Sequence, residues 1–209
     1  MVQVKQSTRL IAYVDGFNLY FGMKQSKYER YMWLNVHALI ASLLKADQVL
    51  VCVRYFTSRV IGDAGKMARQ TSYLEALETV PDVHINYGKY QRQDRRCSVC
   101  KATDYVANEK MTDVNIATEL MADAFQDQFD VAMLVSADSD LTSPVRRVRG
   151  LFPDKRVIIA FPPARTSREL VGAASASFTI GRQKLATSQL PDLVMRADGH
   201  RLSRPATWH

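Results

Sequence analysis

Three segments of the chain each put an aspartate where an apolar run gives out or a helix begins: Val14-Asp15-Gly16-Phe17-Asn18, Met111-Thr112-Asp113 and Ser136-Ala137-Asp138-Ser139-Asp140. Four carboxylates drawn into one cleft repel one another unless a hard cation neutralises them, and Mg²⁺ or Mn²⁺, which prefer oxygen ligands, suit such a set. The chain as a whole is basic, with a net charge of +7 and a pI near 9.4, which favours a polyanionic partner. Metal-assisted cleavage of a nucleic acid is the chemistry these residue types predict.

Taken singly, the acids have plainer uses. Asp113 and Asp140 each suit a helix N-terminus, and Asn18 suits a turn. Asp15 and Asp138 resist that reading, because each follows an unbroken apolar run and would sit partly buried without a counter-charge. Glu109, one helical turn ahead of Asp113, is an optional fifth acid, and Lys110 is in reach of a phosphate. The four histidines, His37, His84, His200 and His209, compose no Ser-His-Asp set, which disfavours a histidine-dependent ribonuclease.

The elements that must position these groups follow from periodicity. Apolar runs of strand length alternate with segments of helical spacing, the pattern of a parallel sheet covered by helices. Strands are expected at Leu10 to Val14, Val49 to Phe56, Val83 to Tyr90, Val131 to Val135, Val157 to Phe161 and, as a short edge, Phe178 to Ile180. Helices are expected from Asn35, from Asp63 to the break before Pro81, from Thr112, from Leu141 to Leu151 and around Leu170. In open sheets of this kind ligands bind beyond the carboxyl ends of strands, where Asp15 and Asp138 fall. Gly16 permits a sharp turn directly after Asp15.

Between Gln91 and Ala107 the composition turns polar and basic, an excursion from the core too short to be a domain. Its Cys97 and Cys100 have the spacing of half a zinc site; Cys52 reads as a core residue, so Zn²⁺ is the weaker metal expectation. Arg92, Arg95, Arg96 and Lys101 there, with Arg165 and Arg168 further on, are candidates to track a phosphate backbone. Tyr87, Tyr90 and Tyr105 flank the excursion and could stack bases, while Tyr28, Tyr31, Met32 and Trp33 read as cover for the sheet. From Arg182 the chain is largely polar, and His200 to His209 reads as a frayed end, giving a domain over 1–181 and an extension over 182–209.

A hydrophobic share of 47% over 209 residues suits a globular protein with a sizeable core. No apolar run reaches the roughly 18 residues of a membrane-spanning helix, the N-terminus lacks a secretion pattern, and three cysteines make no disulfide framework. A cytoplasmic protein is expected.

The run Ile11 to Tyr20, then Glu109 to Val114, then Val135 to Asp140, in that order, resembles the NYN domain, and in particular its LabA-like branch within the PIN-like nuclease superfamily. The resemblance covers roughly residues 8 to 180 and departs from the common pattern at Ala137, where relatives often carry glycine. It implies an α/β fold, a three-layer α/β/α Rossmann-like domain with a central, mainly parallel sheet, and divalent-metal-dependent ribonuclease activity. By position it makes Asp15, Asp113, Asp138 and Asp140 the acidic, metal-holding cluster, with Asn18 assisting. RNA is then the expected partner, with no membrane, and self-association is left open. Two rivals remain: an RNA-binding adaptor that keeps the pocket without catalysis, and an aspartate-nucleophile phosphatase built on Asp138-x-Asp140.

Overall fold

In the computed structural model, residues 7–96, 100 and 103–208 are described, the side chains of 90–96 and 103–110 excepted. Six parallel strands, β1 (Thr8–Asp15), β2 (Gln48–Thr57), β3 (Val83–Tyr87), β6 (Val131–Val135), β7 (Arg156–Phe161) and β8 (Ala176–Thr179), form the central sheet in the order β3-β2-β1-β6-β7-β8. Parallel neighbours need crossover connections, and these put α1 (Gly16–Gln25), α2 (Val36–Leu43) and α3 (Ala64–Leu77) on one face. On the other lie α4 (Thr112–Phe125), α5 (Thr142–Leu151) and α6 (Arg168–Ala173). The expected three-layer α/β/α architecture is therefore present.

Both faces of the sheet are covered, so the central strands are apolar throughout instead of alternating. The alternation survives as a choice of core: Leu10, Ala12 and Val14 of β1 pack under α1–α3, whereas Ile11 and Tyr13 pack under α4–α6. The helix starts are capped as their sequences suggest. Asn35, Asp63 and Ser167 each accept a backbone N–H three residues on, interactions worth about 1 kcal/mol apiece.

Three expectations need correction. Where a sharp turn at Gly16 and a first helix from Asn35 are expected, the chain enters α1 directly after Asp15, a helix hidden from periodicity by two glycines and several aromatics. Both glycines are needed for close approach: a Cβ at Gly16 would lie 2.6 Å from the Tyr55 ring, and one at Gly22 would lie 2.7 Å from Pro162. The Val83–Tyr90 strand is two strands, because after Gly88 the chain leaves the sheet as β4 (Lys89–Arg96) and returns as β5 (Thr103–Lys110). These two strands pair antiparallel, so the described parts of the basic excursion are β-structure. The end of the chain is not frayed either. It folds as α7 (Arg182–Thr187), the hairpin β9 (Leu193–Met195) and β10 (Arg201–Ser203), and a final turn at Ala206–Trp208. Trp208 is buried against Trp33 and Tyr73, with ring centroids 6.4 and 5.9 Å away.

Candidate active site

β1 and β6 are central neighbours whose chains proceed in opposite directions across the sheet, β1 to β2 and β6 to β7. Such a reversal opens a crevice beyond the carboxyl ends of the two strands. The two-residue period decides what faces it. Ile11 and Tyr13, then Ala132 and Leu134, point to the α4–α6 side, so the next members, Asp15 and Ser136, do so too. Pairing of Val14 with Val135 sets those two residues level.

Asp15 is buried, 5% exposed, and its carboxylate is held from two directions: Ser136 Oγ donates to Oδ2 at 2.9 Å, and the Asn18 backbone N–H donates to Oδ1 at 2.9 Å. The second bond makes Asp15 the N-cap of α1, where the helix dipole favours its negative charge. Ser136 Oγ in turn accepts the Asp138 N–H at 3.1 Å, and Asn18 Oδ1 accepts the Ala137 N–H at 3.2 Å. The start of α1 and the loop after β6 are thus cross-braced. Asp138 caps the turn Ser139–Leu141 through the Asp140 N–H at 3.0 Å, which leaves Asp140 itself exposed.

Asp113 comes from the opposite wall, in the first turn of α4. Burial, and then the charges of Asp138, Asp15 and Asp140, push its carboxyl from 3.8 up to about 6. Asp15, Asn18, Asp113 and Asp138 line one pocket of about 160 Å³, closed by Phe17, Phe21, Met111, Thr112 and Arg165. Asp140 acts on it by charge from outside the lining. Arg165 reaches across the rim, its guanidinium 5.9 Å from the Phe21 ring centroid and its Nε donating to Gln25 Oε1 at 3.2 Å. Arg168 does not line the pocket.

Among the described residues no three acidic, histidine or cysteine side chains form a ready-made cage for one ion, although the four carboxylates feel each other's charge. The two observations agree if the ion keeps part of its water. Mg²⁺ does so, binding one or two carboxylates directly and completing its shell with water and phosphate oxygens. An all-oxygen, carboxylate-rich donor set fits a hard cation of that kind and not thiophilic Zn²⁺.

Several positioning residues had no role in the sequence reading. Ser136 was signalled only by standing, small and hydroxylic, between the apolar run and Asp138. Asp123 of α4, 2% exposed, accepts Arg54 Nε at 2.7 Å and Nη2 at 2.6 Å, as well as the Tyr13 hydroxyl at 2.6 Å. Burial, and then that bond, drive the Tyr13 hydroxyl far above its ordinary pKa, so it stays a donor. Arg54 also meets Glu119 at 3.1 Å. This network bolts α4, and with it Asp113, to β1 and β2. Met111, between β5 and α4, has a φ of 80°. For a long side chain that left-handed backbone costs about 1–2 kcal/mol, and it redirects the chain into the helix that carries Asp113.

The side chains of Arg92, Arg95, Arg96, Tyr90, Tyr105, Glu109 and Lys110 lie outside the described residues, as do Cys97 and Lys101 altogether; Cys100 is an exposed free thiol. Tyr87 is occupied at the sheet edge, under the Arg59 guanidinium at 4.9 Å. No helix among the described residues is long and apolar enough to cross a membrane.

A doubly wound parallel sheet with an acidic pocket at its switch point is the plan of a PIN-like domain. The NYN domain model matches residues 9–181, and the chain belongs to that family, whose members are generally ribonucleases. A crystal structure of a protein of unknown function from Vibrio parahaemolyticus superposes with a TM-score of 0.56 at 18% identity, covering 87% of this chain and 98% of that one. It shares the fold. The 6-hydroxy-3-succinoylpyridine 3-monooxygenase HspA of Pseudomonas putida is 25% identical over 87% of this chain and 70% of its own length.

Proposed function

We propose that this protein is a divalent-metal-dependent endoribonuclease of the LabA-like branch. The reading is carried by one observation: carboxylates from three distant segments, Asp15, Asp113 and Asp138, line a single pocket, where burial and then the neighbouring negative charges lift Asp113 to about 6. Mg²⁺ or Mn²⁺ held by those three would offset the repulsion, polarise a phosphate oxygen and acidify a water.

The chain's own groups do the rest. Arg165 binds the phosphate at the pocket rim and orients it. Ser136 and the Asn18 N–H fix the Asp15 carboxylate, while Asn18 Oδ1 fixes the loop that carries Asp138. Asp140, exposed beside the pocket, orients the attacking water and accepts its proton. Water attack on phosphorus breaks the bond to the 3′ oxygen, leaving a 5′-phosphate and a 3′-hydroxyl.

The test is incubation of labelled single-stranded and structured RNA with wild-type protein and Asp138→Asn, with Mg²⁺, Mn²⁺ or chelator. Metal-dependent cutting to 5′-phosphate ends, lost in the variant, is the expected result. Cyclic-phosphate products, or cutting indifferent to chelator, would overturn it. RNA binding without cleavage in every metal would favour the adaptor, and release of phosphate from small esters the phosphatase.

A second reading has one observation in its favour. A cavity of about 280 Å³ behind α1 has room for a single ring system, and the Pseudomonas relative is named for oxygenating a pyridine. Saturable binding of hydroxypyridine acids together with absence of metal-dependent RNA cleavage would select it.

A further inference from the structure

The cavity behind α1 lies on the α1–α3 side of β1 and β2, opposite the carboxylate pocket, and the ribonuclease reading gives it no role. Its volume of about 280 Å³ falls just below the range of roughly 300–1,000 Å³ typical of small-molecule sites. The walls are aromatic: Tyr20, Tyr55, Tyr73 and Trp208 all line it. Tyr55, Tyr73 and Trp208 are nearly inaccessible, at 6, 8 and 7% exposure, so the hollow is framed by fixed core residues and not by mobile surface.

The opening has the opposite character. Lys24 of α1 and Lys66 and Arg69 of α3 line the same cavity, and Lys24 and Lys66 are exposed, which puts positive charge where the cavity meets solvent. Lys66 shares its charge with Asp63 at 3.4 Å. Among the described residues no carboxylate pairs with Lys24 or Arg69. Aromatic walls with cations at the mouth select a flat ring that carries an anionic arm.

Phe17 and Phe21 connect this cavity to the chemistry. Both residues line the cavity and the carboxylate pocket, and their rings stack with centroids 6.2 Å apart and planes 22° from parallel. The two hollows are therefore the two sides of one helix, divided by a pair of rings. A polynucleotide drawn over Phe21, which is 43% exposed, can set one base into the aromatic cavity while a neighbouring phosphate lies under Arg165 at the carboxylates.

We infer that the cavity behind α1 is a nucleotide-recognition site, taking one base between its aromatic walls with the attached phosphate at Lys66 and Arg69. The inference rests on the ribonuclease reading for its occupant, but its test does not need catalysis. The four nucleoside 5′-monophosphates, the corresponding nucleosides and ribose 5-phosphate are titrated against the full chain in chelator by equilibrium dialysis. The variants are Lys66→Ala/Arg69→Ala, which removes the cations, Val60→Trp, which fills the cavity from its partly exposed wall, and Asp138→Asn.

Saturable binding is expected for at least one monophosphate. It should weaken about tenfold in the double alanine variant, as loss of charge-assisted contacts predicts, and in Val60→Trp, while Asp138→Asn binds as wild type. Circular dichroism of each variant guards against misfolding. Binding by ribose 5-phosphate equal to that of the nucleotides would overturn the inference, as would binding by pyridine carboxylates alone or nucleotide binding unchanged in Val60→Trp. If RNA is cut in a metal- and Asp138-dependent way but Val60→Trp leaves the base preference at the cut unaltered, the ribonuclease reading stands and this inference falls.

Discussion

Ser136 Oγ donates to Asp15 Oδ2 at 2.9 Å across the junction of β1 and β6, and both residues are buried. The same oxygen accepts the Asp138 N–H at 3.1 Å, so one hydroxyl sets the spacing of two pocket carboxylates. Ser136→Ala would strip a buried charge of one of its donors, a loss of about 1–3 kcal/mol, and would free the loop before Asp138. The variant should melt several degrees lower and need more divalent metal for half-maximal RNA cleavage. Urea denaturation and a metal titration of activity check the two effects separately. A variant with unchanged metal demand would show that Ser136 only fills space.

Asp113 makes a prediction about pH. Its folded carboxyl titrates at about 6 against 3.8 in the unfolded chain, chiefly through burial and then through Asp138, Asp15 and Asp140. The folded state thus holds that proton more tightly, and this group's contribution to stability falls as pH rises from about 4 to about 6, staying lost above. Carboxylates paired with cations, such as Asp127 and Asp130, have lowered values and work in the opposite direction, so total stability hides the effect. Asp113→Asn isolates it. In chelator the variant should be more stable than wild type at pH 7.5, with the gap closing by pH 4, as read from urea midpoints. Adding Mg²⁺ at pH 7.5 should raise the wild-type midpoint more than the variant's.

The network around Asp123 predicts an asymmetric pair of outcomes. Arg54→Met leaves a nearly inaccessible carboxylate with only the Tyr13 hydroxyl, and breaking such a pair costs about 3–5 kcal/mol. Replacing both members, Arg54→Met with Asp123→Leu, should recover most of that loss, because the desolvation penalty disappears with the charges. Since α4 carries Asp113 at its other end, the double variant should fold and yet cut RNA more slowly than wild type. Thermal melts and single-turnover cleavage distinguish the outcomes; a double variant no more stable than Arg54→Met would contradict the account.

The fold was legible where one strong pattern governed each segment. Val131–Val135 is apolar on both faces, and Asn35 and Asp63 cap the helices they precede, so these elements follow from local rules. The polar ends of β1 and β6 exposed Asp15 and Asp138 for the same reason. What stayed hidden depended on contacts far apart in sequence. Gly16 and Gly22 lower the helix propensity of α1, yet they are there to let it press on Tyr55 and Pro162. Asp123 looks like a surface acid on a helix until Arg54, 69 residues earlier, is seen against it. The aromatic cavity gives no periodic signal, because its walls come from β2, two helices and the last turn of the chain.

That last turn supports a final prediction. The polar composition of the C-terminal stretch suggests a dispensable end, but Trp208 packs against Trp33 and Tyr73 and is only 7% exposed. Its backbone N–H bonds to the Pro205 carbonyl at 2.9 Å, and the preceding hairpin ties back through an ion pair between Arg196 and Glu75 of α3 at 3.3 Å. Trp208→Ala should therefore cost about 3–5 kcal/mol, as large-to-small changes of buried aromatics do. Most surface truncations cost far less, so the magnitude discriminates. Removing residues 200–209 should be at least as damaging, since it also deletes β10 and its pairing with β9. Chemical denaturation of both variants provides the check. Wild-type stability in either would mean that the chain end merely rests on the core.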